Sequence, residues 1–177
     1  MQNSELAERI SNAVQHGLLA RAEFYKSIDL PNEQELGQPA SEGLVLALEA
    51  KLGHSLPPSY RTFLKLYNGW RMVDAETDLL SIEEMLTGPR AEKIKEWQQQ
   101  AKKWGNELAA SGLVIGHSNI SQSRIILDPD NIDINSAGEW ELIESYKDEE
   151  ERYESFIVWL EKSVEDYRKI AEEPIDY

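Results

Sequence analysis

Cysteine is missing altogether, so the chain can hold no disulfide framework, no thiolate metal site and no cysteine nucleophile. A chain without cysteine suits a reducing compartment, and the expected location is the cytoplasm. Histidine is scarce: His16, His54 and His117 lie far apart, in a helix and two loops by expectation. They form no His-x-His or His-Glu-x-x-His spacing, so they read as ordinary side chains rather than a zinc set. Glycine builds no phosphate-cradling loop; Gly43, Gly53, Gly69 and Gly116 stand singly as punctuation. No window approaches the roughly 20 apolar residues of a membrane-spanning helix. The start, Met1-Gln2-Asn3-Ser4-Glu5, lacks the basic residues and the apolar run of about 7–15 that make a secretory signal. A soluble protein is expected.

Positive charge is also in short supply, with 18 bases against 33 acids and a net charge of −15 over 177 residues. The imbalance is concentrated late in the chain. Residues 1–40 carry 6 acids and 3 bases, residues 41–112 carry 10 and 9, and residues 113–177 carry 17 and 6. Such a field repels phosphate backbones and anionic membrane surfaces and attracts basic partners. Direct nucleic-acid and membrane binding are therefore disfavoured, although the same acidity also keeps a protein soluble.

What is present reads as helices first, then a meander, then a helix. Leu6, Ile10, Val14 and Leu18 recur every four residues, so Ser4 to about Lys26 reads as an amphipathic helix with Ser4 as N-cap. Asp29 to Ala40 reads as a loop, leaving this helix as a lead-in tethered to the body. Ser41 caps a helix stopped by Gly53, and Pro57-Pro58 opens another that Asn68-Gly69 closes in the left-handed conformation. Trp70 to Val73 reads as a short strand, and Ser81 with Glu84 has capping-box spacing. Ile94, Trp97, Ala101, Trp104 and Leu108 follow the spacing of a buried helix face, which Gly105 weakens locally.

From Gly112 the period changes to two. Leu113–Ile115, Arg124–Leu127 and Trp140–Ile143 read as strands, separated by turns at Asp128-Pro129-Asp130-Asn131 and Asn135-Ser136-Ala137-Gly138. Links this short make neighbouring strands antiparallel. Tyr153, Phe156, Ile157, Leu160, Val164 and Tyr167 form the stripe of a long final helix. The expected fold is α+β: an antiparallel sheet of about four to six short strands packed against helices. The expected division is an N-terminal helix and loop at 1–40, a main body at 41–170 and a tail at 171–177, together one globular unit.

Asp128, Asp130 and Glu139 imitate parts of a calcium loop, but Asp133 stands where the sharp bend needs glycine, so an Asp-rich hairpin turn is the better reading. No nucleophile, base and oxyanion donor assemble, so neither a catalytic role nor a cofactor is expected. Asp148, Glu149, Glu150 and Glu151, followed by Glu154, form an acidic knot at the start of the last helix, where the dipole stabilises acids. A partner-facing patch is the alternative. Trp97 and Trp104 are expected in the core, and Trp70 either in the core or as an anchor.

The stretch from Leu48 to Leu64, with Glu49, Gly53, Leu56, Pro57, Tyr60 and Phe63, ending in Asn68-Gly69, resembles the SUKH superfamily, which includes the Smi and Knr cell-wall regulators of fungi. Asp78 to Met85, Val114-Ile115-Gly116, Ile126-Leu127-Asp128 and Ser155-Phe156 are similar to further family segments, so that the likeness covers about residues 42–165. Trp70, where a further glycine is common, and Ser121-Gln122-Ser123, where Gly-Asp is usual, depart from the pattern. The resemblance implies a sheet backed by helices and, for bacterial members, an immunity protein against a polymorphic or contact-dependent toxin, frequently a nuclease. An acidic rim of Glu141, Glu144, Asp148, Glu149, Glu150 and Glu151, with Trp70 as aromatic anchor, is the expected contact with such a basic protein partner. A regulatory scaffold of the fungal kind is the rival reading, which composition does not separate. Oligomeric state is left open.

Overall fold

A computed structural model describes residues 2–118, 120–133, 137–146 and 149–172. These residues form seven helices and one seven-stranded antiparallel sheet. In chain order the elements are α1 (Gln2–Ser27), β1 (Glu35–Leu36), α2 (Glu42–Leu52), α3 (Pro58–Leu66), β2 (Trp70–Arg71), β3 (Thr77–Leu79) and α4 (Ile82–Leu86). There follow α5 (Gly88–Lys103), α6 (Glu107–Ser111), β4 (Leu113–Ser118), β5 (Arg124–Asp133), β6 (Glu139–Tyr146), β7 (Glu149–Tyr153) and α7 (Phe156–Glu172). The strands lie side by side in sequence order, each antiparallel to the next, with β1 and β7 at the edges. The fold is α+β, with more strands than expected.

Capping chemistry sets many of the boundaries. Ser41 accepts the Leu44 N–H, and Gly53 ends α2 with a left-handed φ of 79°. Ser81 and Glu84 form the complete capping box of α4. Helix α3 has Pro57 at its N-cap, which has no side chain able to cap. Its acceptor arrives from the sheet instead: Glu139 takes the Ser59 N–H at 2.8 Å and the Ser59 hydroxyl at 2.7 Å.

The N-terminal helix α1, whose docking the residues leave open, is a wall of the core. It starts before Ser4, so that residue lies inside the helix and is not its cap. Ile10, Val14 and Tyr25 are buried, and Arg9 ties α1 to α7 through both Glu161 oxygens at 2.6 Å. The segment expected to be a loop contributes β1, which pairs with β2 through Glu35–Arg71 and Leu36–Trp70. Behind the sheet Phe156 packs against Tyr60, Phe63 and Trp159, with ring centroids 5.2, 5.0 and 5.6 Å away. These contacts join α3 and α7 over one face of the sheet.

Four local expectations are corrected. Asp128–Asn131 is not a turn but part of β5, where the register jumps from Asp128–Glu141 to Ile132–Trp140. Its chemistry is still that of a turn, since Asp128 accepts the Asp130 N–H at 3.0 Å, but the chain uses it to bulge out and resume pairing. Residues 149–153 are an edge strand rather than a helix start, so Tyr153 pairs with Leu142 and α7 begins at Phe156. Helix α5 stops at Lys103, and Gly105 turns left-handed at φ 75°. Trp104 is consequently 79% exposed, Leu108 belongs to α6, and the projected five-residue face is cut in two. His117 lies in β4, buried, not in a loop.

Candidate functional site

The loops at one end of the meander enclose a groove of about 730 Å³. The β2–β3 connection brings Asp74, Glu76 and Thr77; the β4–β5 turn brings Ser121 and Ser123; β6 and β7 bring Glu144, Tyr146, Glu149, Glu150 and Glu151. Six of these ten side chains are carboxylates. A tight polar scaffold holds the rim. Asp74 accepts the N–H groups of Glu76 and Thr77 at 2.7 and 2.6 Å, and the hydroxyls of Thr77 and Ser123 meet at 3.3 Å. Ser118 accepts the Ile120 and Ser121 N–H groups at 3.1 Å, closing the β4–β5 turn.

Glu144 is the inner wall of the groove. It accepts the Trp159 indole N–H at 3.1 Å, and lies directly across the ladder from Glu151. Burial pushes its carboxyl above the usual range, and the negative charges of Asp74 and Glu151 push it further. Glu150 is bonded to Arg152 at 3.1 Å.

Behind this wall lies a buried cation. Arg21 is 1% exposed, with its guanidinium 4.8 Å from the centre of the Trp70 ring and 4.4 Å from that of Tyr167. It donates to the carbonyls of Val73 and Gly17 and, at 3.1 Å, to the Ser163 hydroxyl. Burial lowers its pKa, whereas Asp74 and Glu144 oppose that shift. The positive charge behind and the negative charges in front make the groove strongly polarised.

Of the residues expected to form the rim, Glu144, Glu149, Glu150 and Glu151 share the groove. Glu141 does not; it accepts from Asn131 at 3.0 Å and pairs with Arg152 at 2.8 Å. Asp148 lies outside the described residues. Trp70 is fully enclosed beneath Arg21 and offers no surface to a partner. Asp74, Glu76, Thr77 and Tyr146 line the groove without having been anticipated as its walls, and Ser121 and Ser123 come from the loop whose departure from the family pattern pointed to a binding surface.

The motif residues build structure. Glu49 accepts the Leu56 N–H at 2.9 Å and pairs with Arg61 at 3.1 Å, which locks the link between α2 and α3. Leu56, Tyr60, Phe63 and Phe156 are buried, and Tyr60 touches the Met85 sulfur at 3.8 Å. The Asn68-Gly69 pair does not cap α3 in the way its residue types suggest. Tyr67 ends the helix in an extended conformation, and Asn68 instead bridges to α4, accepting the Ile82 N–H and donating to Glu83. Gly69 has φ 95°, and a Cβ there would stand 2.9 Å from the Leu79 carbonyl. At Gly116 a Cβ would stand 2.7 Å from Ile125 Cδ1.

Chemistry beyond charge is sparse among the described residues. No group of three or more His, Asp or Glu there is arranged to hold a metal ion. Glu139, the supposed end of a calcium loop, is committed to Ser59. No helix of the described residues is long and apolar enough to cross a membrane.

An open antiparallel meander, backed by helices and presenting a carboxylate-lined groove at one end, defines a class of small α+β domain. The particular family follows from a family model that matches residues 39–162: the chain belongs to the SMI1 / KNR4 family (SUKH-1). No curated protein matches the chain.

Proposed function

We propose that the chain is an immunity protein that binds a toxin domain with a basic surface and neutralises it by protein–protein contact in the cytoplasm. The observation that carries this reading is the convergence of six carboxylates on one groove in a chain of net charge −15. Family membership supports it, because immunity proteins are numerous among relatives of this kind. A nuclease must present cations to hold phosphates, so a competitor for that surface is served by clustered carboxylates. Long-range attraction raises the encounter rate, and the rigid Ser and Thr rim fixes the register of docking. No bond is made or broken in this mechanism, and no cofactor takes part.

The test uses the product of the gene adjacent to this one. Glu76→Lys, Glu149→Lys, Glu150→Lys and Glu151→Lys together should slow association by about ten-fold or more and flatten its salt dependence. Protection of cells that co-express the toxin should fail. Unchanged protection with the quadruple variant would place the contact elsewhere. Capture of a cell-wall or signalling enzyme, with no toxin among adjacent products, would favour the scaffold reading.

A further inference from the structure

A cationic patch of this acidic chain lies where α5 sends Arg90 to Asp78 of β3 and Trp97 to Arg124 of β5. Helix α5 carries Arg90, Lys93, Lys95, Lys102 and Lys103 against only Glu92 and Glu96. Asp78, His117 and Arg124 lie beside one another across the three strands, in the pairings Asp78–His117 and His117–Arg124. Directly paired residues project from the same face of a sheet. Arg90 reaches down from α5 to Asp78, and Trp97 lies under the Arg124 guanidinium, 4.0 Å from the ring centre.

Three buried nitrogens in this cluster, Arg90 Nη1, His117 Nδ1 and Arg124 Nε, have no hydrogen-bond partner among the described residues. The neighbouring bonds are already committed. Arg90 uses Nη2 on Asp78 and faces Glu84 at 3.5 Å, and Arg124 uses Nη1 on the Gln122 carbonyl at 2.8 Å. Buried donors are rarely left unpaired, because the desolvation of each is uncompensated. Arg90 Nη1 and Arg124 Nε are donors in every state and His117 Nδ1 is one when it carries the proton, so an acceptor with several oxygens lying between them would satisfy all three.

We propose that Arg90, His117 and Arg124, with Lys93 at the rim, bind a phosphate-sized tetrahedral oxyanion. A tetrahedral anion presents oxygens in several directions, as donors from α5, β4 and β5 require, whereas a carboxylate presents two in one plane. Occupancy turns the Arg124 guanidinium off Trp97. It also adds a negative charge beside His117, whose pKa is lowered by burial and by Arg124, Arg90 and Lys93, against Asp78 alone. This site is separate from the acidic groove, and its reading does not depend on the toxin hypothesis.

The experiment is an NMR titration of the full chain with inorganic phosphate at constant ionic strength, following the three imidazoles. Saturable shifts at His117, with a rise in its pKa, are expected, while His16 and His54 stay put. Acetate at the same ionic strength should shift His117 far less, and phosphoserine should match phosphate if the site takes monoesters as well as the free ion. Arg124→Gln and Arg90→Gln should each weaken phosphate by about ten-fold or more, the loss of one charge-assisted contact. Unperturbed His16 and His54 signals certify the variants' fold, and should either fail to fold, the titration of the unaltered chain decides. Linear, non-saturating shifts, equal response to acetate, or undiminished affinity in a folded variant would each overturn the proposal, leaving ordered water as the partner of these nitrogens.

Discussion

Replacement of Glu139 tests whether the sheet really caps α3. Both carboxylate oxygens are engaged by Ser59, and the residue is 8% exposed. In Glu139→Ala the N–H and hydroxyl at the start of α3 lose their acceptor. Loss of a helix cap costs about 1–2 kcal/mol and a stranded buried donor about 1–3 kcal/mol. The two overlap at the Ser59 N–H, so the expected loss is about 2–4 kcal/mol, or a melting point lower by roughly 5–15 °C. Glu139→Gln retains an acceptor for the N–H and removes the buried charge, so its stability should stay within about 1 kcal/mol of the parent at neutral pH.

The pH dependence supplies the second arm. Burial pushes the Glu139 carboxyl above its ordinary value of 4.5, against the hydrogen bonds from Ser59 and the charge of Arg9 that pull it down. The folded chain therefore keeps this proton to higher pH than the unfolded chain. Its contribution is complete below the ordinary value and is lost as pH rises through the raised one. Urea denaturation of parent and Glu139→Gln between pH 4 and 7 reads the difference. The gap should move in favour of the glutamine variant as pH rises. An alanine variant as stable as the parent would refute the capping argument, and a glutamine gap that is flat with pH would refute the upward shift of the Glu139 carboxyl.

Arg21→Lys keeps a charge in the core but gives up the planar fit between Trp70 and Tyr167 and some of the bonds to Val73, Gly17 and Ser163; urea unfolding should show a loss of about 2–4 kcal/mol, and one below about 0.5 would disprove the role of the stack. Gly69→Ala forces a Cβ into a left-handed site against the Leu79 carbonyl and should cost at least about 1–2 kcal/mol, visible as a lower melting temperature in calorimetry. Trp104→Ser, at a site 79% exposed, should change stability by no more than about 0.5 kcal/mol, whereas Phe156→Ala should cost about 3–5 kcal/mol. Comparable losses for that pair in the same denaturation assay would return Trp104 to the core.

Elements governed by local chemistry were legible in the residues: the capping box at Ser81 and the left-handed stop at Gly53 stand where their residue types put them, and the final amphipathic helix does so from Phe156 onward. Elements governed by distant partners were not. Asp128-Pro129-Asp130-Asn131 has turn composition, and only the pairing of Ile132 with Trp140 makes it a bulge within a strand. The Ile94-to-Leu108 periodicity runs through Gly105 as though it were absent, because a period registers spacing but not the left-handed φ that ends the helix. Arg21 and Glu139 carry no local mark of burial, since what buries them is α7 and α3, each far away in sequence. Within the groove, the acids of β6 and β7 were visible as a run, but their convergence with Asp74 and Glu76 depends on the order of strands across the sheet.

The relocation of residues 149–151 from a helix start to an edge strand changes what their charge means. At a helix N-terminus the dipole would offset the repulsion among them. On β7 no dipole does so, and Glu151 sits directly opposite Glu144, a like-charge pairing that destabilises the ladder. An edge strand does gain from charge, which blocks pairing with other sheets, but that purpose is served by lysine or by mixed signs. It does not require three carboxylates on β7, with Arg152 its one base, together with Asp74, Glu76 and Glu144 from elsewhere in the fold. Burial is the main reason the Glu144 carboxyl is pushed up, and the charges of Asp74 and Glu151 add to it. A cation docked in the groove would relieve this repulsion, and under the proposed reading that relief would favour a basic partner.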